Sequence, residues 1–176
     1  MTEKISRTER CYTFTDPSAI AQHVLTQPGM TWLIALRDGL IPGPNISATL
    51  EFHGIQIQEN AVSFRTYARA WMANPMGILH GGVPMTLLDS AMTCAVFTKL
   101  PAGKMATTTS LTTYFTRPAF VDDGEITATG QIVHIGSTFA TTEGRVTDAR
   151  GKLIAHATGT FAIIDSASIA TSLGLR

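Results

Sequence analysis

The sequence predicts an α+β fold in which one curved antiparallel sheet wraps a single long central helix, with short helices ahead of it. Three observations carry this expectation. Threonine-rich and β-branched runs recur through the second half of the chain, separated by short turn signals, as in consecutive antiparallel strands. The stretch from about Gly81 to Thr98 is apolar nearly all round a helical wheel, so its helix belongs inside. Prolines and glycines before residue 45 cut the chain into short helical pieces. One helix enclosed by one curved sheet is the simplest packing of such elements.

Taken in order, Asp16-Pro17 pairs a capping side chain with a first-turn proline and opens a short helix through Ala19 to Leu25, which Pro28-Gly29 stops. A second short helix is expected from about Thr31 to Asp38, with Trp32, Leu33 and Leu36 on its apolar side. Beyond Asn45 the period changes to two. Phe52 to Gln58 and Ala61 to Ala68 form a hairpin across Glu59-Asn60, with Val62, Phe64 and Thr66 alternating against Ser63, Arg65 and Tyr67. Three or four further strands are expected over Ala106 to Phe115, Gly124 to Ile135, Thr138 to Asp148 and Lys152 to Ile164. Their junctions carry turn chemistry at Arg117-Pro118, Asp122-Asp123-Gly124, Gly136-Ser137 and Asp148-Ala149-Arg150-Gly151. Pro84 is tolerated in the first turn of the central helix, where its missing N–H would be unpaired anyway. The expected organisation is an N-terminal extension with short helices over 1–45, one domain over 46–165, and a C-terminal tail over 166–176.

With 176 residues the chain is the size of one domain. Thirteen basic residues balance thirteen acidic ones, so no excess positive charge draws the chain to nucleic acid or an anionic membrane surface. Two cysteines, Cys11 and Cys94, fit a reducing compartment better than a disulfide framework. Met1 to Arg10 is charged with no apolar stretch behind it, unlike a secretory leader, and the most apolar stretch is interrupted by polar residues. A cytoplasmic protein without a membrane span is therefore expected.

Thr86, Asp89, Ser90 and Thr93 fall on one narrow stripe of the central helix. Only Asp89 is charged, and the positions one turn away, Met85, Thr86, Met92 and Thr93, supply no cation. An uncompensated carboxylate on an apolar helix costs free energy, and desolvation would push its pKa upward, which is common at functional sites. The alternative is a structural carboxylate that caps a loop or bonds a buried hydroxyl. Just upstream, Asn74-Pro75-Met76-Gly77-Ile78-Leu79-His80-Gly81-Gly82 brings an amide, an imidazole and two glycines to the start of the helix. Such glycines allow a ligand to approach the unpaired N–H groups at the positive end of the helix dipole, as in an oxyanion hole, or else serve only a tight turn. His80 by itself would ordinarily be a hydrogen-bonded structural residue. Nine residues of helix separate His80 from Asp89 by roughly 13 Å along the axis, so the two cannot share one carbonyl within a chain. If they cooperate, a two-fold dimer with antiparallel central helices supplies the arrangement.

These residues resemble the PaaI-like branch of hot-dog-fold thioesterases. The likeness runs from Gly29 to Ile164 and rests on Asn74-Pro75-x-Gly77-x-x-His80-Gly81-Gly82 followed by Leu87-Leu88-Asp89-Ser90-Ala91. It continues in Thr108-Thr109-Ser110-Leu111, in Arg117-Pro118 and in Thr147-Asp148-Ala149-x-Gly151-Lys152-Leu153-Ile154-Ala155. The resemblance implies a hot-dog fold and hydrolysis of acyl-CoA thioesters without cofactor or metal. By position, Asp89 would be the catalytic carboxylate, acting as general base or as nucleophile. Gly81 N–H would be the donor to the thioester oxygen. Asn74 would orient that carbonyl or the water, His80 matches the motif histidine, and Thr108 falls where a hydroxyl assists. Gly82 and Thr109 are the expected substrate-binding neighbours. A homodimer, pairing further into a homotetramer, is the implied assembly.

One departure concerns CoA. Many relatives carry a basic residue after the strand that here ends Ile132-Val133-His134-Ile135-Gly136-Ser137, and this chain has none. Lys99, Lys104 and Arg117 remain as candidates for the phosphates, against the simpler reading of solvated surface charges. Two other functions share the fold: an enoyl-thioester hydratase, which typically sets a histidine where this chain has Cys94, and a non-catalytic acyl-CoA binding or sensor protein. Fold alone decides between none of these. His23, His53, His134 and His156 are too scattered for a metal site.

Overall fold

The structure is a computed structural model describing residues 8–172. The first residues of the expected N-terminal extension, 1–7, and the end of the tail, 173–176, lie outside the described residues. Helices α1 (Ser18–Thr26), α2 (Gly29–Arg37) and α3 (Asn45–Thr49) precede the hairpin β1 (His53–Gln58) and β2 (Ala61–Tyr67). The central helix α4 (Gly82–Phe97) follows, and then β3 (Lys104–Phe115), β4 (Glu125–Ile135), β5 (Phe139–Asp148), β6 (Leu153–Asp165) and α5 (Ser166–Ser172). All neighbouring strands are antiparallel, in the order β1-β2-β4-β5-β6-β3. The expected α+β architecture is present: one sheet around one long helix, the hot-dog fold.

Alternation explains the strands. Val62, Phe64 and Thr66 of β2 are buried while their neighbours are not, and Ile126, Ala128 and Gly130 of β4 follow the same rule, so one face meets α4 and the other does not. Asn60 takes the expected turn with φ of 71°, a left-handed conformation that asparagine tolerates. On α4, Val83, Leu87, Leu88, Ala91, Met92, Ala95 and Val96 are buried.

How α4 fits so close to the sheet is a matter of glycine. A Cβ at Gly130 would lie 2.4 Å from the Met92 backbone nitrogen and 2.5 Å from the Ala91 carbonyl carbon. Gly144 and Gly159, on the next two strands, would meet the Met92 side chain at 2.7 and 2.9 Å. Glycines on three adjacent strands thus form a trough that seats the helix at Met92, one turn beyond Asp89.

Some elements differ from expectation. Gly29 starts α2 instead of ending α1: Pro28 is extended, the Gly29 N–H donates to Leu100 O at 2.9 Å, and a Cβ there would strike Phe97 O at 1.9 Å. A third short helix, α3, occupies the start of the segment expected as the main domain. Part of the expected tail is the helix α5, tied back to α1 by the Ser166 hydroxyl donating to Leu25 O at 2.8 Å.

Candidate active site

The motif preceding α4 folds into a small loop that closes on itself. Asn74 N–H donates to Ile78 O at 2.8 Å and His80 N–H to Met72 O at 2.9 Å, while Leu79 N–H anchors the loop to Ala119 O at 2.8 Å. Asn74 Oδ1 accepts from the N–H groups of Met76 and Ile78 at 2.9 and 3.1 Å. That side chain therefore shapes the loop, as asparagine does in turns, and its Nδ2 is left without a partner among the described residues.

The next residues set up the helix start. Gly82 N–H donates to His80 Nδ1 at 3.0 Å, so the neutral His80 ring accepts at Nδ1 and carries its proton on Nε2. The Gly82 N–H is thereby taken by His80. Gly81 N–H has no partner among the described residues, and Gly81 stands at the N-cap of a 16-residue helix, where the helix dipole is positive. The Phe115 ring lies against Gly81, with Cζ 3.2 Å from where a Cβ would stand. Gly81, Ile78, Pro84, Phe115, Arg117 and Ile154 are among the walls of a cavity of about 420 Å³. Phe115 carried no sequence signal, since only the tertiary fold brings the end of β3 to this loop.

Asp89 lies half-buried two turns further along α4 and forms no ion pair among the described residues. Thr108 on β3 donates its hydroxyl to Asp89 Oδ1 at 2.7 Å, and Thr93 Oγ1 is 3.5 Å from Thr108 Oγ1. The spacing of Thr93 on the polar stripe was the one sequence hint of that neighbour. Thr109 is not part of this group. A register shift between Thr108 and Ser110 turns its hydroxyl to β6, where it donates to Thr160 O at 2.9 Å, as a β-bulge re-aims side chains.

One chain therefore holds two separate groups, Asp89 with Thr108 and Gly81 with Asn74 and His80. Eight residues of helix, roughly 12 Å of rise, lie between them. Cys94, in the position expected for a hydratase histidine, has its thiol pushed up to about 12 by burial and by the charge of Asp89, so it stays protonated near neutrality. Lys99 is ion-paired with Glu59, Lys104 with Asp165 at 2.6 Å and Arg117 with Asp148 at 2.5 Å. No group of three or more His, Cys, Asp or Glu residues among those described is arranged to hold a metal ion, and no described helix is long and apolar enough to cross a membrane.

The curved sheet around α4 and the loop-to-helix site at Gly81 define a hot-dog-fold protein. A family profile described as the thioesterase superfamily matches residues 76–155, from the loop through the start of β6. Among solved structures, AziG of S. sahachiroi is 29% identical, with 70% of this chain and 98% of that chain covered and a TM-score of 0.65. A putative thioesterase of Ralstonia eutropha, a phenylacetic acid degradation-related protein, is 25% identical over 74% of this chain and 98% of its own, with a TM-score of 0.68. The PaaI protein of the E. coli phenylacetic acid degradation operon, 24% identical over 79% and 96%, shares the fold with a TM-score of 0.67. No curated protein matches. The profile match and the Ralstonia neighbour make the chain similar to PaaI-like hot-dog thioesterases, and these matches support a thioesterase enzyme.

Proposed function

We propose that the protein hydrolyses acyl-CoA thioesters, with Asp89 as general base and Gly81 N–H as oxyanion donor. The observation that carries this reading is the pair of unfinished groups on one helix: a carboxylate without a cation, held by Thr108 at 2.7 Å, and a free N–H at the positive helix end. Asp89 takes a proton from water as the water oxygen attacks the thioester carbonyl carbon. The oxyanion forms against Gly81 N–H. Collapse breaks the C–S bond, and the proton held on Asp89 passes to the CoA thiolate, leaving free acid and CoA. Asn74 Nδ2 and His80 Nε2–H are the remaining donors beside the carbonyl. Gly82 and Thr109 take no part in this scheme.

The two groups come together in a homodimer. Thr108 touches Asp89 at one end of the α4–β3 face, and Phe115 touches Gly81 at the other. A two-fold axis crossing midway, near Met85 on α4 and Leu111 on β3, exchanges the ends and sets Asp89 of one subunit beside Gly81 of the other. β3 suits this role as a long strand on the edge of the sheet, open to pairing with a second β3. Met85, 39% exposed, is an apolar residue at the crossing.

The test is release of free thiol from short, medium, long and aromatic acyl-CoA thioesters by wild type and Asp89→Asn. Turnover of at least one ester should fall by about a hundredfold or more in the variant, the scale of positioned acid–base groups. Equal turnover in both proteins would make Asp89 structural. Binding of CoA compounds with no turnover in either would favour the sensor function.

A further inference from the structure

A CoA thioester carries a long arm that ends in phosphates, so cations are needed where that arm leaves the protein. The three candidates suggested by sequence are already committed to Glu59, Asp165 and Asp148. Among the described lysines and arginines, those without a carboxylate within 4.0 Å are Arg145, Arg150 and Lys152. Arg150 and Lys152 share the turn between β5 and β6. Asp148, the one acidic residue of that turn, is used up elsewhere: Oδ1 accepts the backbone N–H groups of Arg150 and Lys152 at 2.9 and 2.8 Å, and Oδ2 holds Arg117. Neither side-chain charge therefore has a carboxylate in contact, while the Lys152 charge is near enough to help hold the Asp148 carboxyl below its ordinary pKa.

This turn adjoins two walls of the cavity at Gly81, Arg117 and Ile154. Arg117 lines the cavity and also donates to Lys152 O at 3.4 Å. Ile154, two residues past Lys152, is another wall, and the Thr116 hydroxyl donates to Leu153 O at 3.0 Å. Phe115, whose ring meets Gly81, pairs with Ala155. From Ala155 to Lys152 is three residues, on the order of 10 Å of extended chain, a gap that a flexible pantetheine arm can cross. Apart from Arg117 and Thr116, the walls between are largely apolar, and the charge of Arg117 is neutralised by Asp148.

We infer that the cavity takes the pantetheine arm of CoA and that Arg150 and Lys152 bind its phosphates. This rests on the thioesterase reading above. Arg145 provides an internal control: it is equally unpaired but projects from β5 on the face opposite the buried Val146 and Gly144, away from the cavity.

The experiment compares the intact wild-type protein with the Arg150→Gln/Lys152→Gln double variant and with Arg145→Gln. Each is assayed on one acyl group carried either by CoA or by pantetheine, which lacks the nucleotide and its phosphates. The double variant should raise KM for the CoA ester about tenfold or more, the scale of losing charge-assisted hydrogen bonds, while kcat stays within about twofold. Its KM for the pantetheine ester should not move, and Arg145→Gln should match wild type on both. An unchanged KM for the CoA ester, or an equal rise for both esters, overturns the assignment. If wild type cleaves neither ester, the hydrolase reading fails separately. Calorimetric titration with CoA then decides this site: binding at least about tenfold weaker in the double variant keeps it, and equal or absent binding removes it.

Discussion

Replacing Gly130 by alanine isolates the closeness of helix and sheet as a determinant of both stability and site geometry. The new methyl would lie 2.4 Å from the Met92 nitrogen, 2.5 Å from the Ala91 carbonyl carbon and 2.5 Å from the Met92 Cα. All three are backbone atoms, so no rotamer change relieves the overlap, and recovering ordinary contact needs α4 to lift from β4 by about 1 Å. Gly130 is not among the residues with positive φ, so alanine is compatible with the backbone and would by itself stabilise by about 0.4–1 kcal/mol through the unfolded state. Overpacking works the other way at about 1–3 kcal/mol, and immovable backbone puts this site near the top of that range. Net of the unfolded-state gain, and at roughly 2–4 °C per kcal/mol for a chain of this size, thermal unfolding should drop by about 4–10 °C. Gly159→Ala meets the mobile Met92 Cε first, at 2.9 Å, and should cost about 1 kcal/mol, since a flexible thioether can repack. Thermal and urea unfolding of the two variants gives the comparison. A Gly130→Ala protein within about 2 °C of wild type, or one more stable than Gly159→Ala, would refute the trough. The same displacement lifts Asp89 away from Thr108, and a misplacement of about 1 Å at a reacting group can cost roughly a hundredfold in rate. On the proposed mechanism, activity in Gly130→Ala should therefore fall further than its loss of folded protein explains.

Two further predictions concern titrating groups. The Cys94 thiol, pushed up to about 12, should resist a thiol reagent at pH 8 in the native protein, whereas exposed Cys11 reacts; two equally fast equivalents would contradict the raised pKa of Cys94. Glu125 is held below its ordinary 4.5, first by its hydrogen bond with His53 at 2.9 Å and also by Arg65. Below 4.5 the unfolded chain then takes up this proton more readily than the folded one, so the stability contributed by Glu125 is present above that pH and is lost as pH falls through the lowered folded value. Glu125→Gln should shrink the difference in unfolding temperature between pH 7 and pH 3.5, and an unchanged difference would contradict the assignment.

The parts of this fold that were legible in sequence are those where burial imposes a period. β2 alternates because one face meets α4, and α4 is apolar all round because the sheet encloses it. α3, five residues behind Pro44, is too short to show a period, and α5, with the sequence Ser-Ala-Ser-Ile-Ala-Thr-Ser, has almost no apolar stripe to reveal it. Gly29 reads locally as a stop, yet its role is set by Phe97 and Leu100, which are distant in sequence. The same holds for the glycines of the trough. A glycine inside a strand pattern announces a bulge or a close approach, but only the position of Met92 tells which.

Legibility within the candidate site followed the same division. Asp89 stood out as the one charge on the polar stripe of α4 and Thr108 through the family resemblance, and they meet across α4 and β3. Thr109 could not be separated from Thr108 by sequence, because the difference is one bulge residue that re-aims a hydroxyl toward Thr160. Gly81 and Gly82 are chemically identical, and only the His80 ring, by accepting from one N–H, leaves the other free. The proposed CoA contacts were the least legible of all. Counting cations along the chain singled out Lys99, Lys104 and Arg117, whereas availability depends on which cations lack a carboxylate after folding. Asp148 decides that locally: by spending one oxygen on Arg117 and the other on the turn backbone, it orders the β5–β6 turn while leaving Arg150 and Lys152 without a carboxylate in contact, next to the cavity.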